Sequence, residues 1–435
     1  MKETINHIQA VIGFLNTNAH YAVLRNFEEL PDSNKARDID IIITKKSLKK
    51  VLKPLAALID KSGWKIITYL NSDRLYTLVC GRNFEDRTEI VQWDFFVNTS
   101  AFGVELLSAE EFLRGRKFNG FLYHVDIDVQ FLDKYLYNRF VGSQYPQKYQ
   151  STRELAEDMP FVKEKVRELF GYDNLSCCDN AGRSIMFRAL LVIFARKPLT
   201  FLVNILAFLY TYVRNYIVST GFSIGFTGPD GAGKTTIIER MIERLGAVFK
   251  GAYAYYHFRP TLYGNLGEVA HTAGVKKEVD RNYSNPHRGG ETGPLNSLLR
   301  LVYYSTDYIL GYMVKVKSVV RLTRLVVFDR YYTDIICDSR RTRVYLPYKF
   351  VYWFGKVFIP SLDYNILLTA PSDVILERKR ELDEECIRSI NNKIDYLNNK
   401  PSYYRVWNTG LPDEAVTTIL DLVFRNQHIK NLKRL

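Results

Sequence analysis

Nine residues, Gly228-Pro229-Asp230-Gly231-Ala232-Gly233-Lys234-Thr235-Thr236, restrict this chain more than any other stretch. They fit G-x-x-x-x-G-K-[ST], the phosphate-binding loop pattern. The flanks agree with it. Phe222 to Thr227 reads as a buried strand, and after Lys234 the residues Ile237, Ile238, Met241, Ile242 and Leu245 recur at helical spacing, with Gly246 where a helix end would fall. The glycines let backbone N–H groups converge on a polyphosphate, and the start of the helix adds a favourable dipole. In such a loop Gly228, Asp230, Gly231, Ala232, Gly233, Lys234, Thr235 and Thr236 surround the phosphates. Lys234 would reach the β/γ-phosphates and the Thr235 hydroxyl would ligate Mg²⁺. The expected ligands are therefore ATP and Mg²⁺.

Composition adds bounds. A chain of 435 residues suggests two to three domains, and 47% apolar with 25% charged residues is ordinary for globular chains. The net charge of +13, from 60 Lys+Arg against 47 Asp+Glu, favours an anionic partner. The basic residues are spread along the chain rather than gathered in one arm, so no nucleic acid is expected. The five cysteines lack metal-ligand spacing, and Met-Lys-Glu-Thr-Ile-Asn-His is not a signal peptide. Both point to a reducing, cytoplasmic setting.

Residues 1–125 read as an α/β domain. In Arg37-Asp38-Ile39-Asp40-Ile41-Ile42-Ile43 the strand period puts Asp38 and Asp40 on one face and the odd-numbered isoleucines on the other. Ile90 to Val97 is a second strand with a single acid, Asp94. Two acids on one strand and a third on a neighbour form the metal constellation of nucleotidyl transfer, in which Mg²⁺ bridges a triphosphate and an attacking hydroxyl. Over residues 20 to 100 the chain resembles the polymerase-β-type nucleotidyltransferase superfamily. That resemblance implies Asp38, Asp40 and Asp94 as metal ligands, with Leu24-Arg25-Asn26 where the family has its Gly-Ser turn. Three readings stay open: active transfer, a non-catalytic binding module, and carboxylates paired with Arg or Lys. A further acid pair, Asp126 and Asp128, reads as a helix N-terminal cap.

Residues 126–217 read as a helical connector. Arg183 to Ala195 is strongly apolar, Arg196-Lys197-Pro198 interrupts it, and Leu199 to Val213 resumes it. Neither half reaches the roughly 20 apolar residues of a spanning helix. A pair of core helices and a peripheral membrane contact through 190–213 both fit this pattern.

Residues 218–435 contain the loop domain. Leu325-Val326-Val327-Phe328-Asp329 is a buried strand ending in an acid that would hold Mg²⁺, and Arg330 follows where an acceptor phosphate could sit. Arg378, Lys379 and Arg380 cluster on one predicted helix, and the polar stretch 270–297 reads as a lid or an unstructured loop. The loop together with Phe328-Asp329-Arg330-Tyr331 resembles thymidylate kinase and its relatives over residues 220 to 425. The resemblance implies that Asp230 faces the acceptor, that Arg330 contacts its phosphate, and that Arg378 and Arg380 are lid arginines. Asp307-Tyr308 stands where the family has Asp-Arg, which points away from dTMP as acceptor. The order of the two resemblances is similar to that in proteins of bacterial surface-polysaccharide loci, which implies a sugar, glycan or lipid-linked acceptor. The fold class expected is thus α/β: a C-terminal P-loop NTPase domain with a parallel sheet flanked by helices, an N-terminal nucleotidyltransferase-like domain, and a helical connector. A homodimer is compatible with all of this.

Overall fold

The strand Asp38–Ile43 sets out the first half of the molecule, because its alternation demands cover on two faces. Ile39, Ile41 and Ile43 are buried in one core, and Ile42 in another on the side of Asp38 and Asp40. The first face is covered by the helices Lys2–Asn18 and Lys45–Lys61. Their buried residues recur at three- and four-residue intervals: Ile8, Val11, Ile12 and Leu15 on one, Leu48, Val51, Leu52 and Leu55 on the other. Thr44 opens the second helix by accepting a hydrogen bond from the Ser47 N–H at 3.2 Å.

This computed structural model describes residues 2–33, 38–182, 184–246, 253–262, 292–321, 324–379 and 382–435. The chain divides into two compact units, one of Met1–Arg82, Glu89–Ile217 and Phe424–Leu435, the other of Asn83–Thr88 and Val218–Val423.

In the first unit a seven-stranded mixed sheet runs in the order Lys65–Asn71, Leu75–Asn83, Thr88–Phe96, Asp38–Ile43, Tyr21–Val23, Tyr123–His124, Lys117–Phe118. Asp38–Ile43 and Thr88–Phe96 pair in parallel, with Asp40 directly opposite Asp94. The sheet's second face is covered by the helices Ile127–Val141, Pro160–Phe170 and Ser184–Arg196, which share one core with Ala22, Leu24 and Ile42. Residues 126–217 therefore differ from the connector expected of them. Residues 127–196 form the second layer of the first unit, since without them that face would lie open to water. Asp126 caps Ile127–Val141, accepting from the Ile127 N–H at 2.9 Å.

His7 sits inside the first core, stacked on Trp64 with ring centroids 4.2 Å apart. Trp93 Nε1 donates to its Nε2 at 3.2 Å, so the ring proton sits on Nδ1, which is buried and bonds no described group. Burial pushes the imidazole down to about 3. The folded state thus holds His7 neutral, while the unfolded chain protonates it near 6.5. Stability from this group is complete above pH 6.5 and is lost as pH falls from there toward 3, at about 1.4 kcal/mol per pH unit. His7→Gln keeps an acceptor for Trp93. Urea titrations across that window should show a flatter pH dependence in the variant by about one proton, and equal slopes would refute the assignment.

The second unit is built on a five-stranded, wholly parallel sheet in the order Tyr253–His257, Leu325–Asp329, Phe222–Thr227, Tyr364–Thr369, Tyr403–Trp407. The three inner strands are buried along their whole length, as a sheet covered on both faces requires. Between strands the chain forms helices, among them Lys234–Gly246, Pro294–Gly311, Tyr348–Phe358 and Glu384–Asn398. Pro294 occupies the first turn of its helix, so residues 294–297 of the expected lid are helical. Most of that stretch, 270–291, lies outside the described residues.

Candidate active site

The central strand Phe222–Thr227 delivers the chain at its C-terminal end into the glycine loop, where ligands bind in open parallel sheets. A Cβ on Gly228 would stand 2.0 Å from the Leu368 carbonyl oxygen of the neighbouring strand, so no side chain fits there. Gly233 has φ +86°, a left-handed conformation, and a Cβ there would lie 2.5 Å from Asn408 Nδ2. Asn408 follows the edge strand and ties the loop down by donating Nδ2 to the Ala232 carbonyl at 2.9 Å.

Lys234 opens the helix with its ammonium folded back onto the loop, donating to the Gly228 and Pro229 carbonyls at 2.7 and 2.9 Å. Burial, with Arg330 nearby, pushes it down to about 8, despite the carboxylates around it. Thr235 and Thr236 are exposed at the start of the same helix.

Asp329 ends the strand Leu325–Asp329. Its Oδ2 lies 3.3 Å from His257 Nδ1 and 3.3 Å from the Tyr255 hydroxyl, while its buried Oδ1 accepts from no described group. Burial would raise this carboxyl, but His257, Arg330 and Lys234 outweigh it and hold it below its usual value. A carboxylate oxygen buried without a donor, together with the Thr235 hydroxyl, offers the hard oxygens Mg²⁺ takes.

Arg330 comes next, in a left-handed backbone conformation at φ +73° that is uncommon for a non-glycine residue. Its N–H is held by the Phe226 carbonyl at 3.0 Å. The bend turns its guanidinium back across the loop, where it pairs with Asp230 and Asp334. Arg341 makes a second pair with Asp230, and the Lys234 ammonium lies 3.7 Å from the same carboxylate. Burial works against a charged Arg330, yet Asp334 and Asp230 raise its pKa further still. Burial lifts the fully enclosed Asp334 above the usual carboxylate range, with Arg330 and Lys234 pulling the other way.

Of the residues singled out by sequence, the structure therefore brings together Asp230, Lys234, Asp329 and Arg330 around one loop. Arg378 does not join those ion pairs but reaches the same loop through Asn408, its Nη1 donating to the Asn408 carbonyl at 2.9 Å while Asn408 Nδ2 holds Ala232. The helix carrying it stops there because Lys379 is extended, and Arg380 lies outside the described residues. Sequence reading missed Asp334, Arg341, His257 and Asn408. Asp334 had a signal, since it lies in the first turn of the short helix Tyr332–Cys337, four residues after Arg330. Arg341 had none, being 111 residues from Asp230.

Asp307 pairs with Arg259 at 3.0 Å and accepts from the Leu262 N–H at 2.7 Å. Tyr308 is fully buried, its hydroxyl spent on the Phe258 carbonyl at 2.8 Å. Neither side chain presents a free donor to a ligand.

In the first unit, carboxylate oxygens of Asp38, Asp40 and Asp94 lie within 4.8 Å of one another. Thr77 and Gln92 donate to Asp94 at 2.5 and 2.8 Å. Burial pushes Asp94 up to about 6, offset by those donors and reinforced by Asp40 and Asp38. Arg25 donates to Asp40 at 2.6 Å and lies 3.5 Å from Asp133 of the helix Ile127–Val141. Three hard-oxygen ligands converge, with one of them already sharing a guanidinium.

A glycine loop between the central strand of a parallel sheet and the following helix, facing an aspartate on the adjacent strand, defines the second unit as a P-loop NTPase fold. No family model and no curated protein matches the chain. Among solved structures it is similar to thymidylate kinase from Ehrlichia chaffeensis, at 14% identity and TM-score 0.32, over 47% of this chain and 98% of that one. It is similar also to thymidylate kinase from Candida albicans, at 15% identity and TM-score 0.35, over 48% of this chain and 93% of that one.

Proposed function

We propose that this protein is an ATP-dependent kinase that moves the γ-phosphoryl group to a nucleotide, sugar or glycan acceptor, of the kind used in surface-polysaccharide assembly. The observation that carries the reading is the cluster around Asp230: a phosphate-binding loop whose acidic residue is gripped by Arg330 and Arg341. Lys234 and the loop amides would hold the triphosphate, and Thr235 and Asp329 would hold Mg²⁺. A Mg²⁺ held by Thr235 and Asp329 would supply charge neutralisation at the phosphate oxygens. The chain's own groups do the rest by position. Arg330 and Arg341 are aimed at Asp230 and are suited to exchange that carboxylate for an acceptor phosphate, to which a guanidinium binds bidentately. Asp230, once released, is placed to orient an acceptor hydroxyl. Phosphoryl transfer needs little more than such alignment and charge stabilisation.

The acceptor is read as something other than dTMP, because Tyr308 takes the place of an arginine and has no free donor. The test is labelled ATP–Mg²⁺ with panels of nucleoside monophosphates, sugars and glycans. A labelled small product supports the kinase. Tight ATP binding with only slow hydrolysis across every panel would mark a nucleotide-gated scaffold instead.

A second reading, a nucleotidyltransferase joined to the kinase, is favoured by the convergence of Asp38, Asp40 and Asp94. It requires pyrophosphate release from a nucleoside triphosphate. The double variant Asp38→Asn/Asp40→Asn is expected to abolish that release while leaving phosphoryl transfer intact, and release that survives the double change removes this reading.

A further inference from the structure

We infer that the helix Pro198–Ile217 is a monotopic foot that lies flat in the headgroup layer of an anionic membrane. Two helices, Ser184–Arg196 and Pro198–Ile217, meet at a 118° bend, and among the described residues no single helix is long and apolar enough to cross a bilayer. The longer one buries no residue completely. One side of it, with Phe201, Ile205 and Phe208, is half-covered by its own unit. A Cβ added at Gly103 would meet the Asn204 carbonyl at 2.9 Å, which shows how closely the backbones approach. The other side is a solvent-exposed stripe of Leu199, Leu202, Leu206, Leu209, Val213 and Ile217 at helical spacing, with Leu199 79% and Leu206 65% exposed. The stripe runs the full helix, about 30 Å. Phe187, Leu191 and Phe194 extend the apolar surface onto the first helix. An exposed apolar face this long marks an interaction site.

The charges say what covers it. From Ser184 to Ile217 there is no Asp or Glu, and there are four cations, Arg188, Arg196, Lys197 and Arg214. Arg196 pairs with Glu168, while Arg188 and Lys197 are exposed. Two copies joined symmetrically through this face would set the same cations against each other with no carboxylate from the segment between them. Phosphate headgroups offer the exposed Arg188 and Lys197 a counter-charge and offer the leucines an acyl boundary. Tyr210, Tyr212 and Tyr216 are exposed near the far end, and such rings favour the headgroup level. Because one side of the helix is held to its own unit, it lies in the interface and does not enter the hydrocarbon end-on.

The test is co-sedimentation of the full chain with vesicles of phosphatidylcholine containing 30% phosphatidylglycerol, and with pure phosphatidylcholine. The bound fraction should be at least fivefold higher on the anionic vesicles and should fall in high salt. Leu202→Asp/Leu206→Asp changes exposed residues and should lower anionic-vesicle binding at least tenfold, with an unchanged circular dichroism spectrum. Arg188→Gln/Lys197→Gln should shrink the difference between the two vesicle types. No wild-type binding to either vesicle overturns the inference, as does binding that both double variants retain. A wild-type dimer in lipid-free buffer that Leu202→Asp/Leu206→Asp converts to monomer, with no vesicle binding, overturns it in favour of a second copy.

Discussion

Lys234→Ala should reduce phosphoryl transfer about 10²- to 10³-fold, the range for deleting one preorganised charge-stabilising donor. The ammonium is enclosed between two loop carbonyls and Asp230. Its loss also leaves the Gly228 and Pro229 carbonyls without a donor, which costs about 1–3 kcal/mol if water cannot reach them. Two measurements separate these effects. Calorimetry should show weakened ATP–Mg²⁺ binding, while thermal melting should show a folded protein. Lys234→Arg should not rescue turnover, because a broad planar fork cannot replace a point charge in that space. Turnover in Lys234→Ala equal to wild type would remove the loop from the chemistry.

Arg330→Ala should strongly destabilise the fold of the second unit. Arg330 and Asp334 are 5% and 0% exposed, and Asp230 shares the same guanidinium. Removing one partner of a buried pair strands the other charge, at about 3–5 kcal/mol. Asp334, already raised by burial, then relieves the strain by taking up a proton. The variant's stability deficit should therefore shrink as pH falls and widen as pH rises. Arg330→Ala/Asp334→Asn removes the stranded charge and should recover at least half the lost stability by urea denaturation. It should recover none of the phosphoryl transfer, since the guanidinium that would hold the acceptor is still absent. A single variant as stable as the wild type at neutral pH would contradict the pairing described here.

What could be read from sequence was local. Strand, glycine turn and helix start lie within some two dozen residues, and each leaves its own periodic mark, so Phe222–Thr227 and the helix from Lys234 are found in place. The alternation in Asp38–Ile43 likewise predicts which residues face which core. Among contacts between distant segments, the convergence of Asp94 with Asp38 and Asp40 was implied by resemblance, and the ion pairs left no mark. Arg341 reaches Asp230, and Arg25 reaches Asp40, only because sheet order and helix packing bring them there. The strand Tyr403–Trp407 was missed although its aromatic and β-branched residues suit a strand. The stretch 126–217 looked like a connector because its helices carry no motif, and only the uncovered face of the sheet explains why they belong to the first unit.

The Leu368 carbonyl oxygen leaves Gly228 no room for even a methyl group. Every amino acid other than glycine carries that carbon. Any missense change at this codon must therefore push two neighbouring strands apart or displace the loop.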